Sequence, residues 1–254
     1  MKKNIYLVIF TVLLFSCKEK VIQYYENGQV KAEGFLVDKK KIGKATLYYE
    51  NGQIKETGNW SNDLQDGEWF FYDEQGTLTK KANFKNGKQD GVTESYNNKG
   101  IIIDKSTLSN GKLNGLSQTY YNNGKLKEAF NFKDGNKDGE ARIYYENGNL
   151  QQIGSWVKNL QQGRFITFYE NNDTLQVGYF DAGLENGSFK TFYEENKLKN
   201  LINWKNGKQE GKTTFYHRNG NMEQIGNFKS NIPIGTWKFY DENGKLIEVK
   251  NLEE

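Results

Sequence analysis

A 24-residue period runs through almost the whole chain and limits what it can fold into. Tyr or Phe occurs at Tyr24, Tyr48, Tyr72, Tyr96, Tyr120, Tyr144, Phe168, Phe192, Tyr216 and Tyr240. Glycine occurs at Gly43, Gly67, Gly91, Gly115, Gly139, Gly163, Gly187, Gly211 and Gly235. A second glycine series runs from Gly28 through Gly52, Gly76, Gly100, Gly124 and Gly148, lapses at Asn172 and Asn196, and resumes at Gly220 and Gly244. A fourth series is large and apolar: Leu36, Trp60, Phe84, Leu108, Phe132, Trp156, Phe180, Trp204 and Phe228. No series slips by a residue. Such self-similarity marks a repeat architecture, in which each unit is one supersecondary element that buries its surface against the next.

One unit shows what the element is. Ala141–Glu146 reads as a strand, Asn147-Gly148 as the pair favoured in a type I′ hairpin turn, and Asn149–Trp156 as the return strand. A second turn precedes Gly163; in the neighbouring unit it is Lys133-Asp134-Gly135-Asn136-Lys137-Asp138-Gly139. A Gly or Asn every few residues disfavours helices. The 16 Tyr and 16 Phe suit strands, and an aromatic-rich chain with one Pro is no disordered chain. The prediction is an all-β, single-layer antiparallel β-meander of about ten 24-residue β-hairpin repeats. At about 4.8 Å per strand, twenty strands stack to roughly 95 Å.

Alternation assigns the faces. With Asn51-Gly52 as a two-residue loop, Tyr49 lies opposite Ile54, and Ala45, Leu47, Tyr49, Ile54, Gly58 and Trp60 share an apolar face. The next unit adds Trp69, Phe71, Leu78, Ala82 and Phe84. Small residues at Gly58, Ala82, Gly154, Gly178 and Gly226 leave room there for a neighbouring ring. The Tyr48 series lines the opposite face, and a hairpin bulge would invert the assignment locally. Repeat-defining structural roles fall to Tyr48, Gly52, Gly67, Tyr144, Gly148 and Gly163.

The first residues are a different object. Lys2 and Lys3 precede an apolar run, Ile5–Phe15, which ends at Leu14-Phe15-Ser16-Cys17. A basic start with a short apolar run reads as a secretion signal, too short for a membrane span. It resembles a bacterial lipoprotein signal, in which the Cys after cleavage is lipidated. That assigns 1–16 as signal peptide, Cys17 as the lipidated residue, 17–20 as a short tether, 21–250 as the repeat domain and 251–254 as a tail. Acyl chains on Cys17 would anchor the protein in an outer or plasma membrane, facing outside the cytoplasm. Glu248, Lys250, Glu253 and Glu254 at the other end would blunt a free sheet edge.

The motif Tyr-Tyr-Glu-Asn-Gly-x-Leu-x-x-x-Gly-x-Trp, then Asn-Gly-Lys-x-x-Gly, resembles the MORN repeat family, and in particular its bacterial variant. Tyr48 through Trp60, Tyr144 through Trp156, Tyr120 through Leu126 and Asn206 through Gly211 carry the match. The resemblance implies an elongated, twisted antiparallel sheet with roles in scaffolding or attachment. Related bacterial sequences are often described as the antitoxin component of toxin–antitoxin systems, and eukaryotic members are linked to membrane attachment.

Little in the sequence points to chemistry. Cys17 is the only cysteine and His217 the only histidine, so no Cys–His pair or zinc set is indicated. His217 takes the place of the second Tyr of a Tyr-Tyr pair and reads as a solvated strand residue. Asp134, Asn136 and Asp138 imitate the start of a calcium loop, but Tyr145 stands where its closing Glu belongs, and the stretch reads as an inter-repeat turn. Glu26, Glu50, Glu146, Glu170 and Glu194 recur beside the hairpin turn, and copied acids suggest a solvated rim, whereas an active site is unique. No cofactor and no enzymatic activity are expected. Of 35 basic and 32 acidic residues, two basic ones lie in the leader, and the signs alternate along the chain, so no nucleic-acid partner is indicated. The expected role is a membrane-anchored scaffold binding a protein partner at the cell envelope. Carbohydrate or cell-wall binding, and an antitoxin or immunity role by direct toxin binding, stand as alternatives. Trp60, Trp69, Trp156, Trp204 and Trp237 are candidate anchors for a partner, or packing residues between repeats.

Overall fold

The computed structural model describes residues 17–253. The assigned signal peptide, 1–16, and Glu254 lie outside the described residues. Twenty-two strands run from Glu19–Tyr24 to Leu246–Leu252, all antiparallel and in one open sheet. Two of the outgoing arms are interrupted, Leu184–Glu185 from Gly187–Phe192 and Lys208–Gln209 from Gly211–Tyr216, so the sheet has twenty arms. Each inner arm pairs with the arms before and after it in the chain. Among the described residues the only helical element is a 3-10 turn, Glu194–Asn196. The predicted β-meander is therefore the observed fold. The sheet includes Glu19 and Lys20, assigned above to the tether, and Asn251 and Leu252, assigned to the tail.

The Asn-Gly turns do not take the geometry expected of them. Asn51-Gly52 is no type I′ turn. Gly52 N–H donates to the Tyr49 carbonyl (2.9 Å), Tyr49 N–H donates to the Gln53 carbonyl (2.8 Å), and of the pair only Gly52 has a positive φ, 84°. This is a three-residue loop that ends on a left-handed glycine. Gly148 (φ 94°) repeats it, with Asn147 Oδ1 accepting from the Asn149 N–H. The type I′ geometry sits between repeats instead. Asn62 and Asp63 have φ of 49° and 65°, and Ser61 pairs with Leu64 across them. Asp134-Gly135, the start of the calcium-like stretch, is another such turn, with φ of 50° and 85°.

Two bulges per repeat set the facing. Tyr48 pairs with Ile54 but Leu47 with Glu56, which leaves Lys55 as an extra residue. Beyond that bulge the expected register holds: Ala45 opposes Gly58, and Gly43 opposes Trp60. Ile54 and Leu78 therefore leave the apolar face assigned to them: Ile54 pairs with Tyr48 and Leu78 with Tyr72. The second bulge lies between repeats. Thr57 pairs with Phe70 and Asn59 with Asp66, so Gly67, Glu68 and Trp69 all face Gly58. Gly67, at φ 77°, makes this possible, and the Gly43 series is a bulge series.

The core is one row across the middle of the sheet. Ala45, Trp69, Ala82, Phe130, Ala141, Phe165, Phe189 and Trp237 are its buried apolar side chains. All lie on the face that carries Gly58 and Trp60.

Candidate functional site

A surface that could hold a partner has to be separated from the surface the sheet uses on itself. At Trp69, Phe165, Phe189 and Trp237 the row sets a ring on the outgoing arm against a small residue on the preceding arm; at Phe130 and Ala141 the two exchange places. A Cβ added to Gly58 would come within 2.3 Å of the Trp69 ring; Gly154, Gly178 and Gly226 stand in the same relation to Phe165, Phe189 and Trp237. Each ring lies flat on a glycine and meets the next large apolar position edge-on. Trp60–Trp69 (5.2 Å between centroids), Trp156–Phe165 (4.8 Å), Phe165–Phe180 (5.0 Å), Phe180–Phe189 (5.4 Å) and Phe228–Trp237 (5.3 Å) are T-shaped. This is the favoured geometry of aromatic pairs. Lys41 over Trp60 (4.6 Å) and Lys137 over Phe130 (3.9 Å) cover parts of the spine with cations.

The spine breaks twice. Thr93, Ser106 and Ser117 replace rings and small residues between Phe84 and Phe130, where the Ser106 and Ser117 hydroxyls meet at 2.9 Å. Thr213, fully buried, interrupts it between Trp204 and Phe228. The hydroxyls of Thr93 and Thr213 are buried without a hydrogen-bond partner.

A second set of contacts ties repeat to repeat along the hairpin turns. Tyr25, Tyr49, Tyr121, Tyr145, Tyr169 and Tyr193 each donate their phenol O–H to the carbonyl 23 residues ahead, on Tyr48, Tyr72, Tyr144, Phe168, Phe192 and Tyr216. His217 continues the ladder, with Nε2 3.0 Å from the Tyr240 carbonyl. It is half-buried and lies in the turn, not in a strand as expected. Asp73, Asn97 and Asp241 are too short to reach and instead accept N–H groups of their own turns, as Asp73 does from Thr77 (2.8 Å). Replacing Tyr145 with Phe removes one rung but leaves the ring; a loss of about 1 kcal/mol is expected in denaturant unfolding. An unchanged midpoint would mean that water replaces the bond at no cost.

The opposite face is chemically mixed. In the first half Tyr48 donates to Glu33, and Glu94 accepts from Tyr96 (2.8 Å) and Lys105 (2.8 Å). Tyr48 and Lys20 hold the Glu33 carboxyl below the usual range, and Lys105 and Tyr96 do the same for Glu94. Desolvation first, then Glu94, pushes the Tyr96 phenol up to about 12. In the second half the same positions carry Ile153, Ile166 and Val177, adjacent across the arms and half-buried.

All five tryptophans named from the sequence are on the spine face. Trp69 and Trp237 are buried; Trp60, Trp156 and Trp204 are half-buried with a ring against each. Tyr48 and Tyr144 supply carbonyls to the ladder, Gly52 and Gly148 close hairpin turns, and Gly67 and Gly163 sit at bulges with positive φ. Cys17 is exposed and stands two residues before the first strand. The mixed face was not singled out from the sequence; its signal is the run of residues eleven and thirteen apart, Ile153, Ile166 and Val177.

A family model for the MORN repeat variant matches residues 20–38, 41–62, 65–86, 113–134, 137–158, 185–206, 209–230 and 233–253. Between the matches lie 87–112, which holds Thr93 and Ser106, and 159–184, where Asn172 takes the turn-glycine position with φ 71°. No curated protein matches the chain. Among solved structures the chain is similar to part of the crystal structure of TcdB2-TccC3-Cdc42, with 15% identity over 89% of this chain and 13% of that one, at a TM-score of 0.22. It is similar to part of the Photorhabdus luminescens Tc holotoxin pore carrying TccC3-D651A, with 14% identity over 88% of this chain and 13% of that one, at a TM-score of 0.22. The chain thus spans 13% of the length of these two.

Proposed function

We propose that this chain, which belongs to the MORN repeat variant family, is a non-enzymatic repeat scaffold, held at the cell envelope by a lipid on Cys17 and binding a protein partner through the face opposite its aromatic spine. The observation that carries the reading is the division of labour between the faces. The large rings are used up in packing repeat against repeat. The other face offers an aliphatic stripe at Ile153, Ile166 and Val177 and an ionic stretch at Lys81, Glu94 and Lys105, with no further layer paired over it among the described residues. Apolar area beside mixed charge suits a protein surface better than a uniformly charged polymer. The exposed Cys17, two residues before the sheet, would leave little slack between membrane and scaffold.

A crosslinked pull-down from intact cells, comparing the natural chain with Cys17→Ser, tests this. One partner recovered only with the anchored chain is the expected result. No partner with either chain, both folded, overturns it. An exported toxin as the recovered protein would make the role an immunity-type one on the same face. A carbohydrate reading has one observation of its own: Gln152–Thr167 and Gln176–Thr191 set amide against hydroxyl on the face that carries Trp156 and Phe180. Capture on glycan beads and not by protein crosslinking would favour it.

A further inference from the structure

Among the described residues the sheet has two outer arms, Glu19–Tyr24 and Leu246–Leu252, each with one neighbour. The last arm is the more open. All seven of its residues are exposed, among them Ile247 at 64%, Val249 at 48% and Leu246 at 47%. Apolar residues on an unpaired edge invite another strand.

The backbone groups that would pair are those of Ile247, Val249 and Asn251. Within the array, the residues two and three periods before Asn251 give their carbonyls to the following arm: Asn203 to the Glu210 N–H (2.9 Å) and Tyr179 to the Asn186 N–H (2.8 Å). At the end of the chain no following arm exists among the described residues, so odd-numbered positions point their polar groups outward.

The sequence of that arm is its own complement. Antiparallel pairing with a second copy about Val249 sets Glu248 opposite Lys250, Lys245 opposite Glu253, and Leu246 opposite Leu252. Every charge meets its opposite, twice over by symmetry. Pairing the first arm about Val21 brings no acid opposite a base, and about Ile22 only the flanking Lys18 and Glu26. Within one copy the Lys250–Glu248 pair is loose, at 3.4 Å with both side chains about half exposed, and is free to exchange partners. Next to it, on the spine face, a concavity of about 310 Å³ is lined by Phe228, Pro233, Trp237, Phe239, Lys250 and Leu252. A two-fold axis through Val249 would bring a second such concavity alongside it.

We propose that Leu246–Leu252 is a homodimerisation edge, at which two copies join by antiparallel pairing about Val249 and the sheet continues from one copy into the other. The arrangement is isologous, so it closes at two copies. It leaves the Cys17 ends of both copies free, and it does not depend on what the scaffold binds.

The test is the mass of the purified full chain in detergent, followed with concentration by sedimentation. A monomer–dimer equilibrium that stops at two copies is expected. Glu248→Lys and Lys250→Glu, each alone, place like charges opposite one another twice and weaken the dimer by roughly tenfold or more. Mixed in equal amounts, the two single variants pair again as a heterodimer, because a basic edge now faces an acidic one. The double variant pairs with itself as the natural chain does. Circular dichroism shows that every variant is folded. A wild type that stays monomeric, a mass that grows beyond two copies, single variants that dimerise undiminished, or a mixture with no gain each overturns the proposal.

Discussion

Replacing Trp69 with Ala is expected to lower stability by about 3–5 kcal/mol, the range for deleting a buried ring. Trp69 has no exposed surface. Its ring meets Trp60 at 5.2 Å and Phe84 at 6.3 Å, and its Nε1 donates to the Asn59 carbonyl at 3.1 Å. No second layer of structure can collapse into the space it leaves. In a repeat array each unit feels mainly its neighbours, and the spine stops at Thr93, so the loss stays local. Amide exchange should speed up over residues 54–85 and hardly change over 126–204. Uniform acceleration along the chain would mean that the sheet opens as one unit.

Gly58→Val is the second large effect, about 3 kcal/mol by overpacking. The backbone at Gly58 has no positive φ, so a side chain there meets no conformational penalty of its own. The obstacle is the ring. The added Cβ would stand 2.3 Å from it, and Trp69 must swing out into water. A red-shifted tryptophan emission accompanies the loss. The two substitutions act on one contact, so they are not additive: with Trp69 already Ala, Val at position 58 should cost well under 1.5 kcal/mol. Full additivity would falsify the stacking of Trp69 on Gly58. Elsewhere the chain itself shows a tolerated alternative, because Ser106 and Ser117 fill the same two positions without a ring.

Much of this was legible before any coordinates. Positions 45, 58, 60, 69, 82 and 84 share a face because strand alternation is rigid once two arms are in register, and the register over the body of each hairpin follows from the spacing of Ala45 and Gly58. The small residues were legible as room for a ring. The turns were not. Asn-Gly suits type I′, but it also suits a loop whose last residue alone is left-handed, and the chain uses the second form at Asn51-Gly52 and Asn147-Gly148. The choice moves Ile54 off the spine face. Tyr49 becomes a donor to the next repeat, and His217 inherits that role, although the sequence alone made it a solvated strand residue.

The amino-acid sequence by itself determined the repeat, its length, the all-β meander and the face that carries the rings, because these depend on periodicities of 24 and two that survive any local adjustment. Only the tertiary structure decided which glycine closes a turn and which makes a bulge, since both need the same positive φ. It also decided that Trp69, Phe165, Phe189 and Trp237 pack on glycines of the preceding arm and that tyrosines bond to carbonyls one repeat on. Those contacts depend on how far each arm is displaced against the next, and a single extra residue at a bulge sets that displacement.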